Sequence, residues 1–268
     1  MLLNWDWRKD RVHHIQKIKK HQFLFRELVH RDFTKKYKRT VLGIAWSVLS
    51  PLLTLLVMNL IFGTLLGASI EHYTIYLFSG QLVFSFFSDS TNEGMTSLLN
   101  NAEIFTKVNV PKYLFLFSKN ISSLINFAIT LVVYFLFVIT HGIPITWKFI
   151  LLVYPVACLV IFNLGMGLIL SALYVFFRDI QYLYSIFTLI LMYMSAIFYS
   201  IDTFPDIGRN LFLLNPIYVY IRYFRKIVLE GTIPTPQFHL IALGYALIAF
   251  GIGGWIYKKK NHSFLYYV

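Results

Sequence analysis

Residues 41–67 read VLGIAWSVLSPLLTLLVMNLIFGTLLG and contain no charged side chain. A helix needs about 20 consecutive apolar residues to cross the hydrocarbon core of a bilayer, which is ~30 Å thick. Residues 41–67 exceed that length, and a helix is the form in which a single segment can satisfy its own backbone hydrogen bonds inside lipid. The stretch therefore predicts a membrane-spanning helix.

The same length criterion, applied along the chain, predicts six spans. Of the 268 residues, 57% are hydrophobic and 13% are charged, whereas soluble domains carry about 25% charged residues. Five of the spans contain an uncharged stretch of sufficient length, and the second becomes long enough only by continuing past Asp89. The predicted spans cover about 41–67, 74–92, 118–140, 149–177, 180–201 and 238–257. We therefore expect an all-α membrane protein whose two termini lie on the same side of the bilayer.

The lysine and arginine residues are divided unevenly between the two sides of these spans. Residues 1–40 hold twelve of the 24, and with the other loops on that side the division is nineteen against five. Basic residues that flank short loops stay in the cytoplasm. The pattern predicts a multi-pass protein of the cytoplasmic (inner) membrane with both termini in the cytoplasm. The net charge of +12 then indicates anionic lipid, rather than nucleic acid, as the partner.

Residues 1–40 are predicted to form a cytoplasmic arm, and residues 41–268 the transmembrane domain. Within the arm, Phe25, Leu28 and Phe33 recur at helical spacing, with charged residues on the other side. A helix with this pattern is amphipathic and lies in the membrane interface. We therefore expect an interface helix directly before the first span.

Basic residues are concentrated at the end of this arm. The simpler interpretation is an anchor that binds lipid headgroups, because cytoplasmic segments next to a membrane span are usually basic. A sharper hypothesis is that the cluster gathers a phosphate-bearing lipid substrate at the membrane entrance. The residues of this predicted lipid-phosphate entrance are Arg31, Lys35, Lys36, Lys38 and Arg39.

The longest cytoplasmic connection, residues 93–112, is too polar to enter the bilayer. Its apolar residues can line one face of a short helix that Pro111 ends. A solvated loop and a docking helix for a cytoplasmic partner explain this segment equally well. If it couples the chain to an ATPase, the contact residues are Leu98, Leu99, Glu103, Ile104, Phe105 and Lys107.

The connection between the fifth and sixth spans, residues 202–237, carries too many charges to form another span. Apolar residues still recur at helical spacing over 217–228, with Arg225 among the residues on the opposite side. We expect external re-entrant or interfacial helices that are broken at Asn215-Pro216. Non-helical backbone at membrane depth must be buried in protein or face water, so this region should cap or line a pathway.

Several function classes lack their characteristic residues in this sequence. No cluster of acids or cysteines completes a metal site, and Cys158 is the lone cysteine. We therefore predict no catalytic residue, no metal site and no cofactor bound by this chain. Ion-coupled transport needs ionisable groups deep in the spans, but Asp89 and Lys119 both lie within reach of the interface. A GxxxxGK[ST] phosphate loop is also missing, so an ATP-driven process would need a separate ATPase.

Four short motifs occur in an order and spacing that fit the six-span layout. They are LGIAWSVLSPLL at 42–53, FTKVNVPK at 105–112, FFRDI at 176–180 and LNP at 214–216 before Arg222. Together they resemble the ABC-2 type permeases that export polysaccharides, the group of O-antigen, capsule and teichoic-acid exporters. The resemblance covers nearly the whole chain.

The resemblance implies a permease subunit of an ATP-driven ABC exporter. Its expected fold is six transmembrane helices with an N-terminal interface helix, a cytoplasmic coupling helix and two external re-entrant helices before the last span. A homodimer of this chain would form the pathway, and two copies of a separate ATPase, which binds ATP and Mg²⁺, would drive it. The implied substrate is a glycan polymer on an undecaprenyl-type lipid phosphate. The alternatives are an ABC-2 exporter of a drug or small lipid, and a glycan-assembly subunit that does not transport.

Two further sets of residues receive expected roles. Arg178 and Asp179 separate two uncharged stretches and are expected to form a cytoplasmic turn or gate. Aromatic rings stack on sugar faces without selecting one sugar, so we expect an aromatic polymer pathway. For most single aromatic positions, lipid contact is the simpler interpretation. The pathway candidates are Trp46, Phe84, Phe87, Tyr193, Phe198, Tyr199, Tyr220 and Phe224.

Overall fold

The computed structural model of the chain describes residues 6–38, 40–67, 70–108, 110–202, 204–260, 263–265 and 267. Within these residues all regular secondary structure is helical, which confirms the all-α part of the predicted fold. The α-helices are α1 (Asp6–Tyr37), α2 (Trp46–Leu66), α3 (Tyr73–Thr96), α4 (Ala102–Lys107), α5 (Tyr113–Thr140), α6 (Val153–Phe176), α7 (Ile180–Met194), α8 (Asp206–Phe212), α9 (Pro216–Val228) and α10 (Pro236–Lys260). Short 3₁₀ turns lie at Gly43–Ala45, Leu99–Asn101, Trp147–Leu152 and Ser263–Leu265.

In the described part of the chain, four helical segments are both long and apolar enough to cross a bilayer. They are residues 43–65, 113–140, 147–176 and 236–260. The chain is therefore a multi-pass membrane protein, and these segments correspond to the first, third, fourth and sixth predicted spans. The second and fifth predicted spans do not combine the same length and hydrophobicity, so the count of six stays a prediction.

Helix α3, the second predicted span, is long enough but rich in polar residues. It packs against α2, α5 and α6, and most of its surface faces protein. Asn120 of α5 donates a hydrogen bond to Ser90 at 2.7 Å, and Tyr184 of α7 donates one to Thr91 at 2.6 Å. Polar groups that have partners inside the protein avoid most of the cost that they would have in lipid.

The fifth predicted span, residues 180–201, extends seven residues beyond the helix found in the structure. Helix α7 ends at Met194 and has 15 residues, a length of about 22 Å that is shorter than the ~30 Å hydrocarbon core. Ala196 has a φ of 51°, a left-handed conformation that cannot continue a right-handed helix. In the segment after α7, the backbone oxygens of Ala196 and Ile197 accept hydrogen bonds from the side chain of Arg225.

The most extensive helix pair is α6 with α10, and small residues allow it to form. Ala242, Ala246 and Gly253 are buried along one stripe of α10. A Cβ atom on Gly253 would lie 2.6 Å from the backbone oxygen of Gly165 on α6. Small residues at such positions let two backbones approach closely, which is a common basis of helix packing in membranes.

The predicted break at Asn215-Pro216 is confirmed, because α8 ends at Phe212 and α9 begins at Pro216. The side chain of Asn215 accepts hydrogen bonds from the backbone N–H groups of Ile217 and Tyr218, a capping role that asparagine favours. Proline is preorganised for the first position of a helix. Most side chains of α9 are buried, so this helix lies inside the fold rather than on its surface.

The two ends of the bundle carry different elements. Helices α1 and α4 lie at one end, called the α1 end, and α8 lies at the other, called the α8 end. Helix α1 packs against α5, and Leu28 joins an apolar cluster with Leu98 and Phe115. The predicted interface helix therefore buries part of its apolar face against its own subunit.

Candidate functional site

The predicted coupling segment, residues 97–107, lies at the α1 end as a 3₁₀ turn followed by the short helix α4. Two of its predicted contact residues point inward, since Leu98 is 0% exposed and Phe105 is 6% exposed. They belong to the same apolar cluster as Leu28 of α1 and Phe115 of α5. These two side chains therefore hold the coupling segment on its own subunit and are closed to a partner protein.

The other predicted contact residues form the outer surface of the coupling segment. Leu99 and Ile104 are half-buried, and Glu103 and Lys107 are exposed. A partner that docked here would meet one acid, one base and two partly covered aliphatic side chains. The predicted contact residues that remain accessible are thus more polar as a set than the six predicted from the sequence.

An ion-pair network around the buried carboxylate of Asp32, called the Asp32 network, joins α1 to the coupling segment and to α5. The Asp32 side chain is 1% exposed and lies 2.8 Å from Arg31 and 3.2 Å from Lys119. Ser118 donates a hydrogen bond to the same carboxylate at 3.0 Å. Arg31 also donates to the side-chain oxygen of Asn101 at 2.8 Å. A displacement of the coupling segment would therefore pull on α1 and α5 through these bonds.

Lys36, a residue of the predicted lipid-phosphate entrance, has acidic neighbours on α3. Its ammonium group lies 3.4 Å from Asp89 and 3.7 Å from Glu93. Burial opposes the charge of this ammonium, but the two carboxylates together outweigh burial and raise the pKa of Lys36 above its ordinary value. Lys36 is thus held to its own subunit as a cation.

The other four entrance residues have different surroundings. Lys35 and Lys38 are exposed at the end of α1. Arg31 belongs to the Asp32 network. Arg39 lies outside the described residues. In the described part of the entrance, Lys35 and Lys38 are therefore the basic side chains best placed to meet a lipid phosphate.

Residues 177–179 form the exposed turn between α6 and α7. The guanidinium carbon of Arg178 lies 5.6 Å from the ring centre of Tyr174, within the range of a cation–π contact. Asp179 is exposed and directly precedes α7, where a negative charge complements the helix dipole. The geometry supports an anchoring role for Arg178 and leaves the Asp179 carboxylate accessible.

The eight aromatic pathway candidates fall into an exposed and a buried group. Trp46 on α2 is 39% exposed, Tyr193 on α7 is 53% exposed, and Tyr199 is half-buried. The other five lie in the main apolar cluster of the subunit and present almost no surface: Phe84, Phe87, Phe198, Tyr220 and Phe224. In this structure only the first group offers a surface that a polymer could touch.

Arg225 is buried. The prediction that it lies on the polar side of α9, opposite the apolar residues, is therefore wrong. Its side chain is 2% exposed. The guanidinium donates to the backbone oxygens of Tyr76, Ala196 and Ile197 at distances between 2.8 and 3.0 Å. It also donates to the Ser79 hydroxyl at 3.2 Å and lies 3.4 Å from the ring centre of Tyr76. Arg225 thus connects α9 to α3 and to the segment that follows α7.

Three residues of these sites were not predicted from the sequence, and the sequence indicates their roles with different clarity. Arg225 follows Ile221 by four residues and precedes Val228 by three, so helical spacing places it on the apolar stripe of α9. Asp32 carries a weaker signal, as an acid inside a strongly basic arm. Asn101 carries none, because an asparagine in a polar loop is unremarkable.

A cavity of about 510 Å³ lies at the α8 end and is lined in part by Arg225. Charged residues of both signs surround it, among them Glu71 and Arg222. Arg222 forms an ion pair with Glu230 and lies 3.9 Å from Asp202. Among the described residues, no three His, Cys, Asp or Glu side chains are grouped so that they could hold a metal ion. The lining suits a hydrated region better than contact with lipid.

Comparison with known proteins gives one family and several relatives. The family described as "ABC-2 type transporter" matches residues 23–229, a range that contains the coupling segment, the Asp32 network and Arg225. The chain is 27% identical over 241 residues to the O-antigen export system permease protein RfbA of Klebsiella pneumoniae, covering 88% of this chain and 92% of that protein.

Two further relatives align over a similar length. The O-antigen export system permease protein RfbA of Myxococcus xanthus is 25% identical over 254 residues, covering 93% of this chain and 97% of that protein. The polysialic acid transport protein KpsM of Escherichia coli is 23% identical over 240 residues, covering 88% and 92%. The similarity therefore extends over most of both chains in each comparison.

Proposed function

The chain belongs to the ABC-2 type transporter family, and on that premise we propose that it is the permease subunit of an ATP-driven exporter of a lipid-linked polysaccharide. The observation that carries the proposal is its near full-length similarity to proteins named for O-antigen export and polysialic acid transport. The polymer, of the O-antigen, capsule or teichoic-acid class, would cross the cytoplasmic membrane from the α1 end to the α8 end. Residues 1–40 would form a cytoplasmic arm and residues 41–268 the transmembrane domain.

Energy for export would come from a separate ABC ATPase, because residues 1–268 contain no phosphate-binding loop. Two copies of that ATPase would bind ATP and Mg²⁺, and this chain would catalyse no reaction itself. The proposed contact is the outer surface of the coupling segment, with Glu103 and Lys107 at its centre. The Asp32 network behind that surface is the proposed route by which ATPase movement reaches α1 and α5.

A second copy of the chain is the proposed partner for the exposed apolar faces of α2 and α7. Both helices contact α3, and they expose large apolar side chains such as Leu60 and Tyr182. Apolar surface of this extent contacts either lipid or another protein. The exposed pathway candidates Trp46 and Tyr193 lie on these same two helices, which favours a pathway between two copies.

Of the five predicted entrance residues, Lys35 and Lys38 are the ones proposed to contact the lipid phosphate. Carboxylates of the same subunit already pair with Arg31 and Lys36, so these two cations have less charge to offer a phosphate. The turn at residues 177–179 lies between two spans and is the proposed cytoplasmic gate.

Transport by vesicles that contain the full chain and its ATPase tests this function. The lipid-linked polysaccharide of the same cell is supplied on the outer face of vesicles oriented with the ATPase outside, and ATP is added. We expect the polymer to become protected from an added glycosidase only when ATP and both proteins are present. Equal protection without ATP, or ATP-driven movement of a short lipid but not of the polymer, would contradict the proposal.

A further inference from the structure

A polar pocket of about 380 Å³ lies between the end of α1 and helices α2, α3 and α5. The roles proposed above involve Trp46 of its lining but do not account for its polar groups. Asp89 lines the pocket near the α1 end and Phe78 lines it farther along α3. The eleven residue steps from Phe78 to Asp89 correspond to about 16 Å of helix at 1.5 Å per residue. The pocket therefore reaches from the predicted membrane surface well into the predicted hydrocarbon depth.

Three polar atoms of residues that line this pocket are buried and have no hydrogen-bond partner among the described residues. They are Gln81 Oε1, Ser123 Oγ and Asn126 Nδ2. The other polar atom of each amide is already occupied. Gln81 Nε2 donates to Ser85 at 2.9 Å, and Asn126 Oδ1 accepts from Tyr37 at 2.7 Å. Unpartnered polar atoms are costly, and more so at membrane depth, so the pocket needs a polar occupant.

The unpartnered atoms indicate what kind of occupant fits. The free amide oxygen of Gln81 requires a donor, and the free amide nitrogen of Asn126 requires an acceptor. A hydroxyl group can supply both, whereas a fully ionised phosphate can only accept. The charged residues that line the pocket, Lys36 and Asp89, pair with each other at 3.4 Å. No unbalanced positive charge of the described lining is therefore directed at an anion.

The size and walls of the pocket suit a small hydroxylated group. Its volume lies near the lower end of the roughly 300–1,000 Å³ that is typical of small-molecule sites. Trp46, which is 39% exposed, is among the residues that line it, and aromatic rings pack well against the C–H faces of sugars and other polyols. A purely apolar occupant would leave the three polar atoms without partners.

We propose that this pocket binds the uncharged, hydroxyl-bearing part of a lipid headgroup. The shared chemistry is a polyol, supplied either by the sugar of a glycolipid or by the glycerol of a phosphatidylglycerol. The inference rests on the pocket alone and not on the proposed function. Binding can therefore be measured without transport, and its failure would leave the export proposal untouched.

Lipid retention by the purified full-length chain tests the proposal. The chain is placed in nanodiscs with equal amounts of glucosyl diacylglycerol, phosphatidylglycerol and phosphatidylethanol of identical acyl chains, and the lipids retained after transfer to detergent are counted by mass spectrometry. Phosphatidylethanol carries the phosphate but no headgroup hydroxyl. We expect at least one hydroxyl-bearing lipid to be retained about fivefold or more over phosphatidylethanol, as the loss of buried hydrogen bonds implies. The preferred lipid identifies the source of the polyol.

Paired variants locate this selectivity in the pocket. Gln81→Met with Asn126→Leu replaces the two amides that carry an unpartnered atom with apolar side chains of similar volume. This double variant should abolish the preference for hydroxyl-bearing lipids. The matched control, Gln181→Met with Asn59→Leu, makes the same changes on α7 and at the far part of α2, outside the pocket lining, and should keep it. Should the double pocket variant fail to fold, Ser123→Ala is the milder substitution and should reduce the preference. Equal retention of all three lipids, or an unchanged preference in the folded pocket variants, would show that the pocket holds water only.

Discussion

At the scale of single residues, one buried cation organises the α8 end of the subunit. Arg225 comes from α9, yet its guanidinium bonds to carbonyl groups of α3 and of the segment that follows α7. A charged side chain at membrane depth is costly unless it finds such partners. The carbonyls of Ala196 and Ile197 need a donor equally, because a buried backbone oxygen without a partner is costly. The chain can therefore leave the helical conformation after Met194 without leaving these two carbonyls unsatisfied.

We expect Gly80→Ala to destabilise the subunit, although alanine is the better helix former by about 1 kcal/mol. A Cβ atom at position 80 would lie 2.8 Å from Nη2 of Arg225 and 3.3 Å from the Cα of Ile197, so the guanidinium would have to move. Each buried carbonyl that it leaves unpartnered costs about 1–3 kcal/mol. Thermal unfolding of the purified protein should show a lower midpoint for this variant.

Gly244→Ala on α10 is the matched control for this substitution. A Cβ atom there meets no described atom within 4 Å, so the variant should be neutral or slightly stabilised by its helix propensity. Identical midpoints for the two variants would mean that Gly80 does not hold Arg225 in place.

At the scale of elements, the coupling segment depends on its surroundings. Helix α4 has six residues, and isolated helices shorter than about 12–15 residues are marginal in water. Its position is therefore set by the packing of Leu98 and Phe105 and by the hydrogen bond from Arg31 to Asn101. Leu98 and Phe105, which the sequence analysis assigned to a partner, serve the fold of the subunit instead, whereas the exposed Glu103 and Lys107 remain available.

We expect two sets of variants in this region to separate docking from coupling. The charge reversal Glu103→Lys with Lys107→Glu should weaken association with the ATPase, because both side chains are exposed. Asp32→Asn should leave association intact but raise the ATP hydrolysed per polymer exported by roughly fivefold or more, the lower limit of a typical coupling energy. Co-purification of the ATPase and the ratio of hydrolysis to export are the two measurements.

Phe105→Ala is the structural control for these variants. Removal of a buried phenylalanine side chain costs about 3–5 kcal/mol, so this variant should lose thermal stability, whereas the charge reversal should not. Normal association and normal export by the charge-reversal variant would exclude the coupling segment as the contact and make α1 the next element to test.

At the scale of the whole molecule, the structure groups loops by side in the way that the charge pattern predicts. Phe264 of the C-terminal tail and Phe105 of the coupling segment belong to one apolar cluster, together with Leu28 of α1. Glu71 and Asp202 line one cavity at the opposite end. The short helix α7 is compatible with this grouping of loops, because the segment that follows it contacts Arg225 inside the protein.

We expect reporters fused after Lys107 and after Lys260 to be active in the cytoplasm, and reporters fused at Glu71 and Asp202 to be active outside. The physical reason is the division of nineteen basic residues against five, which retains the richer side in the cytoplasm. Enzymatic reporters that function on only one side of the membrane provide the measurement. An external signal after Lys260, with the fusion at Lys107 still cytoplasmic, would exclude the four spans that are predicted between these two positions.

The features that could be predicted from the sequence alone are those that depend on neighbouring residues. The length of the stretch at 41–67 identified a membrane protein, because the thickness of the bilayer imposes the criterion. Pro216 after Asn215 located the break before α9, because proline and a capping asparagine act within one helical turn. The family motifs likewise consist of adjacent residues, so they could be recognised without a structure.

The hydrogen bonds between distant polar groups became known from the tertiary structure. Arg225 and Tyr76 are 149 positions apart, and Asp32 and Ser118 are 86 apart, so no local pattern relates them. The same holds for Phe105, whose apolar character is compatible with a partner protein or with its own core. Burial and hydrogen bonding depend on which helices pack together, and that choice is made by the summed contacts of the whole bundle rather than by any one segment.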